Sequence, residues 1–267
     1  MDGMNDITDD IGKLRIISMF RENVKGKKVD TNTQNTKHCG KEGHWLEQQM
    51  GIQHNSRNEP DIDGYEMKKE SSKTTLGDFS ATEYAFSKNR TTINEMNHWT
   101  TDVSMTRSAF IRYFGNPNCQ KNNRYSWSGS CVPRFGSWNS CGQILSVTAH
   151  DDIVIQYSFD KDTRETKHSI PEIFRSNTIV IAFWKADILK RRIETKFNQK
   201  GFFICKKKED VYDKICFGKP FNYDYFIESI KNKRIIFDSG MYEGNRRNYS
   251  QFRGSSLWDE LIVEEYV

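Results

Sequence analysis

The chain of 267 residues carries 40 Lys+Arg against 36 Asp+Glu, a formal net charge of +4, and its aromatic content is 13%. This length and composition allow a large core, built as one domain with lobes or as two small domains. The mildly basic balance permits a nucleic-acid partner without demonstrating one. No apolar run approaches the ~18 residues that a membrane helix needs, and the acidic first residues lack the regions of a secretory signal. We therefore expect a cytoplasmic protein that has no contact with a membrane.

Six cysteines occur without a Cys-x-x-Cys pair. Their scattered spacing argues against a disulfide framework and against a standard zinc site. Cys119, Cys131 and Cys141 fall within one loop-rich region, which leaves a metal site there open, although the close ligand pairs of zinc modules are missing. The alternative is that the cysteines are free thiols in a reducing compartment.

Two helices are predicted at the start of the chain. Residues 10–23 repeat apolar side chains at helical spacing and carry a basic outer face. Residues 40–51 form a shorter helix that buries Trp45 and neighbouring apolar side chains while Glu47 faces elsewhere.

A tight turn is predicted at Asp63-Gly64. This dipeptide is a strong hairpin signal because a type I′ turn needs positive φ at both central residues. A turn at these two residues places Ile62 opposite Tyr65.

The same turn places two carboxylates face to face. Asp61 lies opposite Glu66, and Lys68 projects from the same face because side chains alternate along a strand. Directly opposed Cβ atoms are roughly 5 Å apart, which brings both carboxylates within reach of one divalent cation. This acid–acid–lysine cluster indicates phosphodiester hydrolysis. A solvated hairpin face would give the same residues and is the alternative.

The segment 113–141 is rich in Gly, Asn and Ser, and a strand over residues 124–127 is predicted between turns. Two interpretations stay open: a surface that touches DNA, or an aromatic-rich loop packed against the body of the protein. The interleaved basic and aromatic side chains are Arg124, Tyr125, Trp127, Arg134 and Trp138.

Strands and helices alternate in the second half, which predicts a mixed α/β sheet. Residues 178–184 are a continuous apolar run, as expected of a strand buried on both faces. Residues 187–200 form an amphipathic helix whose Lys and Arg side chains we expect on the outer surface. The other predicted elements are strands at 143–149, 153–159, 202–206 and 234–237 and a helix at 222–232.

Residues 237–253 combine Gly, Asn and Ser with three arginines and almost no aliphatic side chains. We expect a loop that buries little and whose side chains hydrogen-bond base edges and phosphates. The candidates for DNA contact in this loop are Arg246, Arg247, Asn248, Ser250 and Arg253.

The chain resembles a known nuclease family. Pro60-Asp61, followed by Glu66-Met67-Lys68, has the form of the PD-(D/E)xK nuclease signature. With the preceding Gly43-His44-Trp45-Leu46-Glu47, this region is similar to the active-site region of MutH-like nucleases, and in particular of the MvaI/BcnI-type restriction endonucleases. The resemblance extends through residues 112–117, 123–129 and 238–253.

This resemblance implies a type II restriction endonuclease with a PD-(D/E)xK fold, a mixed central β-sheet flanked by helices, and two lobes that form a DNA cleft. Residues 1–267 would form one unit, with a nuclease core at about 1–105 and 145–235 and recognition loops at 106–144 and 236–256. By position, Glu47 is the helix acid, Asp61 and Glu66 hold the metal, and Lys68 is the catalytic lysine.

The resemblance also implies the cofactor, substrate and partners. The enzyme would use Mg²⁺, with Mn²⁺ able to substitute, and act as a monomer on double-stranded DNA. It would cut a short GC-rich, near-palindromic site of the CCNGG kind, one strand at a time. A cognate DNA methyltransferase in the same bacterial restriction–modification system would be a functional and not a physical partner.

Three alternatives remain open on the residues alone. The first is a MutH-like repair enzyme that nicks one strand, and the second is a sequence-specific DNA-binding protein that has lost cleavage. The third is a non-nuclease α/β protein whose hairpin is a charged surface, which predicts no salt-dependent DNA binding.

Overall fold

A computed structural model describes residues 3–30, 40–53, 57–100, 103–175, 177–254 and 256–267, with the backbone alone for residues 3–10. The helices are α1 (Gly3–Asn23), α2 (Lys41–Gln49), α3 (Thr91–Asn97), α4 (Arg107–Phe114), α5 (Ala186–Phe197), α6 (Tyr223–Lys231) and α7 (Leu257–Leu261). The first seven strands are β1 (Glu66–Lys69), β2 (Thr74–Asp78), β3 (Glu83–Tyr84), β4 (Asn116–Asn118), β5 (Arg124–Trp127), β6 (Cys141–Val147) and β7 (Ile153–Asp162). The remaining strands are β8 (Ile179–Trp184), β9 (Phe202–Lys208), β10 (Val211–Gly218), β11 (Ile235–Asp238), β12 (Met241–Tyr242), β13 (Gln251–Gly254) and β14 (Ile262–Tyr266).

The chain divides into two compact units, each built from separate stretches of sequence. The first unit contains residues 1–74, 191–223 and 255–267. The second unit contains residues 75–190 and 224–254. The division into a nuclease core and recognition loops stays a prediction.

The first unit is organised around a four-stranded sheet in the order β1-β9-β10-β14. The β1 strand is parallel to β9, whereas β9, β10 and β14 pair antiparallel, so the sheet is mixed. Met67 and Phe203 join Phe20, Trp45 and Leu46 in one apolar cluster, so α1 and α2 contribute to the core on this face of the sheet. Because side chains alternate along a strand, the neighbours of Met67 in β1 project from the opposite face.

The second unit contains three sheets, ordered β3-β8-β7-β6, β11-β13-β2 and β12-β5-β4. Every residue of β8 is buried, as its apolar sequence predicts. Aromatic rings form much of the core: Trp127 packs against Phe110 with ring centroids 4.9 Å apart and against Phe237 at 5.6 Å. Trp184 also packs against Phe237, at 5.2 Å.

The predicted mixed α/β class is confirmed, and β5, β8, α5, β9 and α6 lie where the sequence places them. The expectation that residues 237–253 bury little is wrong. Met241 and Phe252 are fully buried, and their segments form β12 and β13, because isolated aromatic and sulfur-containing side chains replace the missing aliphatic ones. Within the described residues, no helix is both long enough and apolar enough to span a membrane.

The five described cysteines are free thiols. Cys131 and Cys141 are buried with their Sγ atoms 2.8 Å apart, whereas Cys119 is exposed. Among the described side chains, no three His, Cys, Asp or Glu residues are arranged to hold a metal ion. The sixth cysteine, Cys39, lies outside the described residues.

Candidate active site

The Asp63-Gly64 turn has the predicted conformation. The φ angles are 49° at Asp63 and 84° at Gly64, so both central residues adopt the positive φ that a type I′ turn requires. Ile62 and Tyr65 exchange backbone hydrogen bonds of 3.0 and 2.8 Å across the turn, and both side chains enter the core of the first unit. Because Ile62 and Tyr65 point into the core, the turn directs the next residues on either side, Asp61 and Glu66, to the opposite face.

Asp61 approaches the start of β1 through its side chain. Its Oδ2 accepts a hydrogen bond of 2.8 Å from the backbone N–H of Met67. Burial, together with the neighbouring charge of Glu66, raises the pKa of Asp61 from 3.8 to about 6, while Lys68 and Lys196 act in the opposite direction. The two carboxylates predicted to face each other are therefore close enough to interact electrostatically.

Glu66 and Lys68 lie on one face of β1, as predicted. Both are buried, and Nζ of Lys68 lies 2.6 Å from Oε1 of Glu66. The ammonium also lies 5.3 Å from the ring centroid of Phe197 in α5, a cation–π contact. Burial lowers the pKa of Lys68, and the adjacent charge of Glu66 opposes that shift.

A second lysine completes this cluster. Lys196, near the end of α5, places its Nζ 2.9 Å from the same Oε1 atom of Glu66, and its side chain is only 17% exposed. We expected the basic side chains of this helix on the outer surface, and for Lys196 that expectation is wrong. One feature of the sequence could have indicated that Lys196 is partly buried. Lys196 lies beside Phe197 and three residues after Ile193, and both of these apolar residues are fully buried. This spacing places Lys196 at the edge of the buried face of the helix.

The carboxylates fit a divalent cation. Oε2 of Glu66 is buried and accepts no hydrogen bond from the described residues, and an unsatisfied buried acceptor costs about 1–3 kcal/mol or more. A hard cation is coordinated by such oxygens and would offset the repulsion between Asp61 and Glu66. Since no third His, Cys, Asp or Glu among the described residues joins this pair, water and phosphate oxygens would fill coordination positions that the protein leaves open.

Glu47 is less directly connected to this cluster. It lies on α2, half-buried, and its Oε2 is 3.1 Å from Nδ1 of His44 one turn earlier. The described structure brings together Asp61, Glu66 and Lys68 but does not place Glu47 in a metal-binding group with them. Its role as the helix acid stays a prediction.

Comparison with known protein families shows which family this chain belongs to. The family model described as LlaMI restriction endonuclease matches residues 24–266. The chain belongs to the LlaMI restriction endonuclease family.

Relatives of this LlaMI-family chain agree with the match. The type II restriction enzyme ScrFI of Lactococcus lactis subsp. cremoris is 43% identical, over 94% of this chain and 97% of its own length. The complex of the restriction endonuclease MvaI with its cognate DNA substrate aligns over 97% of both chains, with a TM-score of 0.57 and 16% identity. At that identity, the likeness to MvaI supports the α/β fold alone.

Membership of the LlaMI family makes this chain a type II restriction endonuclease, a site-specific deoxyribonuclease that acts on DNA. Enzymes of this class generally use divalent metal ions. The carboxylate pair of Asp61 and Glu66 agrees with that requirement.

Three of the predicted DNA-contacting residues in the LlaMI-family chain are consecutive and precede β13. Arg246 is exposed. Arg247 has a side chain that is 69% exposed, and its guanidinium lies 4.5 Å from the ring centroid of Tyr249. Asn248 is partly buried, and its Oδ1 accepts a hydrogen bond of 2.8 Å from Nε of Arg107. The two arginines are therefore more available to a ligand than the asparagine.

The other two candidates in this loop are held by the protein. Ser250 is fully buried, and its hydroxyl lies 2.5 Å from the hydroxyl of Tyr84. Arg253 is half-buried, and its Nε lies 3.0 Å from a carboxylate oxygen of Asp238. The Ser250 side chain thus supports the loop from inside, and we do not include it in the DNA contacts proposed below.

The aromatic and arginine segment combines both interpretations left open by the sequence. Trp127 is fully buried and donates its indole N–H to Gln143 at 2.6 Å. Arg134 and Trp138 are exposed, and Arg124 is half-buried beside the ring of Tyr242. One part of this segment therefore forms core, and another part is available for contact.

Proposed function

We propose that this chain cuts double-stranded DNA in a Mg²⁺-dependent reaction at a short GC-rich, near-palindromic site of the CCNGG kind. The observation that supports this proposal is the buried Glu66 carboxylate, which has two lysines at Oε1 and, within the described part of the chain, no donor to Oε2. The resemblance to MvaI/BcnI-type enzymes supports the choice of site. It also supports a monomer that cuts one strand at a time, within a restriction–modification system whose methyltransferase protects the same site.

The chemistry assigns a role to each member of the cluster. Asp61 and Glu66, through Oε2, would hold the cation, with Mn²⁺ able to replace Mg²⁺. A bound cation of this kind polarises a phosphate and lowers the pKa of water. Lys68 stabilises negative charge that develops on the phosphate or orients the attacking water. Lys196 positions Glu66 from the other side, and Glu47 is proposed as an additional acid.

DNA recognition is proposed for the loops at residues 106–144 and 236–256. The side chains proposed to contact DNA are Arg124, Arg246, Arg247, Asn248 and Arg253. Arginine and asparagine can form bidentate hydrogen bonds with guanine and adenine edges, and arginine also binds phosphate.

The test is a digest of plasmid DNA of known sequence by the purified protein in Mg²⁺, followed by mapping of the fragment ends. The wild-type protein should give discrete fragments whose ends define one site. Asp61→Ala and Lys68→Ala should abolish cleavage while retaining DNA binding in a gel-shift assay. Glu59→Gln is the matched control because Glu59 is 58% exposed at its side chain and lies just before the site.

Identical banding with wild type and both variants would refute the assignment of the active site. A stable nicked product without linear DNA, or dependence on an activating protein, would support the repair-type nicking enzyme instead. Site-specific binding without cutting in either Mg²⁺ or Mn²⁺ would identify a non-cleaving DNA-binding protein.

A further inference from the structure

Arg124 and Tyr242 form a stacked pair on neighbouring antiparallel strands. Tyr242 of β12 pairs with Ser126 of β5, so its side chain projects from the same face of this sheet as Ser126 and Arg124. The central carbon of the Arg124 guanidinium lies 3.7 Å from the Tyr242 ring centroid, which is a stacking distance. On the other face, Trp127 and Met241 are fully buried, so the core of the second unit anchors the two strands.

The Arg124 guanidinium is held in place but has unused hydrogen-bonding groups. Its Nε is buried and donates no hydrogen bond within the described part of the chain, and the side chain is half-buried. The neighbouring Glu243 carboxylate is already engaged, since it accepts from Nε of Arg112 at 2.6 Å and from the backbone N–H of Tyr125 at 3.0 Å. The charge of Arg124 helps to lower the pKa of Glu243, but the Arg124 side chain donates no hydrogen bond to an acceptor among the described residues.

This arrangement suits base recognition better than phosphate contact. A planar guanidinium presents two parallel donors that match O6 and N7 of guanine, and stacking on a ring fixes the plane in which those donors lie. A phosphate contact requires only a positive charge near the DNA backbone, which the exposed Arg246 supplies without any such support. Arg124 and Arg246 carry the same charge. They differ in that the ring of Tyr242 orients the guanidinium of Arg124.

We propose that Arg124, oriented by Tyr242, reads a guanine in the recognition site. The inference rests on the proposed function, since it assumes a GC-containing target. It assigns specificity to Arg124 and a positioning role to Tyr242.

The experiment measures binding in a Lys68→Ala background, which the proposed mechanism leaves unable to cut. Duplexes carry the mapped site, the site with one G·C pair changed, the site with 7-deazaguanine at one guanine, or an unrelated sequence. Arg124→Lys should weaken binding to the mapped site about 5- to 100-fold, as expected for a lost bidentate contact, and leave binding to the unrelated duplex unchanged. Tyr242→Leu should give a smaller loss of the same kind, and Tyr242→Phe should keep wild-type discrimination.

At one guanine, 7-deazaguanine should weaken binding by the protein that retains Arg124. It should weaken binding by the Arg124→Lys variant less, because lysine lacks the two parallel donors that reach O6 and N7 together. Arg21→Lys is the control, because Arg21 is exposed on α1 and has no part in the proposed DNA contacts, and it should retain discrimination at every position. Thermal unfolding of each variant identifies losses that come from misfolding, and Tyr242→Phe retains the ring if Tyr242→Leu proves unstable.

Equal weakening by Arg124→Lys on all sequences would show a phosphate contact and overturn the inference. Unchanged discrimination in Arg124→Lys, with wild-type cleavage still at discrete sites, overturns the inference alone. A wild-type protein that neither cuts DNA nor prefers any sequence overturns the proposed function as well.

Discussion

Nζ of Lys196 forms an ion pair with Oε1 of Glu66 at 2.9 Å, the same oxygen to which Lys68 donates at 2.6 Å. Two lysine ammonium groups thus contact the same carboxylate oxygen of Glu66, whereas its other oxygen, Oε2, has no donor among the described residues. The lysines approach from different elements, Lys68 from β1 and Lys196 from α5. Glu66 is therefore oriented from two directions before any metal binds.

Replacing Lys196 should slow cleavage without abolishing DNA binding. We expect Lys196→Met to lower the cleavage rate about tenfold or more, because Glu66 loses one of its two ion-pair partners. The pKa of Asp61 should rise further, since the charge of Lys196 lowers it in the native protein. The acidic limb of the pH–rate profile should move to higher pH.

Single-turnover cleavage rates measured across pH test this prediction, and Lys196→Arg should restore part of the rate. Lys190→Met is the matched control because Lys190 is exposed on the same helix. If the pH–rate profile of Lys196→Met were the same as that of the wild-type protein, Lys196 would have only a structural role and the prediction would be wrong.

The pair of Glu66 and Lys196 also shows where sequence analysis reaches its limit. Glu66 and Lys68 were found because strand periodicity relates residues two positions apart. Lys196 reaches the site only because β9, the strand after α5, pairs in parallel with β1. That pairing depends on the whole fold, and a lysine on an amphipathic helix otherwise indicates a solvated face.

Asp61 should make the metal-free protein less stable at alkaline pH. Its pKa is raised to about 6 in the native state, so the folded protein holds a proton that the unfolded chain releases between about pH 4 and 6. The contribution of Asp61 therefore destabilises the fold as pH rises through this window, by roughly 2–3 kcal/mol at pH 8. Asp61→Asn should raise the free energy of unfolding at pH 8 without metal and change it little at pH 4.

Chemical denaturation at both pH values, with and without Mg²⁺, checks this expectation. Mg²⁺ should stabilise the wild-type protein and have a smaller effect on Asp61→Asn. Glu59→Gln, an exposed change, should behave like wild type. If Asp61→Asn changed the free energy of unfolding by the same amount at pH 4 and at pH 8, the raised pKa of Asp61 would be contradicted.

A side chain at position 64 should destabilise the turn. Its φ is +84°, and an added Cβ would lie 3.2 Å from side-chain carbons of Lys200. Gly64→Ala should cost about 1–2 kcal/mol of stability, the price of a left-handed conformation, and should slow cleavage by displacing Asp61 from Glu66. Gly43→Ala in α2 meets no atom within 4 Å and should leave both properties intact or gain slightly in stability. Thermal unfolding and cleavage assays on both variants compare them, and equal effects would count against a special role for the turn.

This turn could be predicted because its determinants are adjacent in sequence. Only positions 63 and 64 must adopt positive φ, and Asp and Gly do so readily. The burial of Met241 and Phe252 could not be predicted in the same way. These residues stand alone among polar neighbours. Met241 pairs with Trp127 of β5, which is remote in sequence, and Phe252 packs against Phe237 at the other end of the same segment only when β11 and β13 pair.

The buried ion pair of Arg164 and Asp162 should be essential for the second unit. Arg164 lies 2.5 Å from Asp162 and donates to the backbone carbonyls of Gly115 and Tyr113 at 2.6 and 2.9 Å. Arg164→Met should cost about 3–5 kcal/mol, because it leaves a buried carboxylate unpaired. Since Gly115 immediately precedes β4, which pairs with the strand that carries Arg124, DNA discrimination should also fall.

Denaturation midpoints test the prediction against Arg112→Met, which removes an arginine from an exposed pair with Glu243 and should have little effect on stability. Similar losses in both variants would contradict the distinction between buried and exposed pairs.

The parallel pairing of β1 with β9 has a consequence for synthesis of the enzyme. Glu66 aligns with Phe202, and residues 75–190 all intervene before that partner strand is made. Among the described strands, β1 pairs with β9 alone. A growing chain that already contains Asp61, Glu66 and Lys68 therefore lacks the strand with which β1 forms its hydrogen bonds. Such long-range pairing is also slow to form. The cutting site is therefore assembled late, and partial chains released before Phe202 should be inert toward the DNA of the cell that makes them.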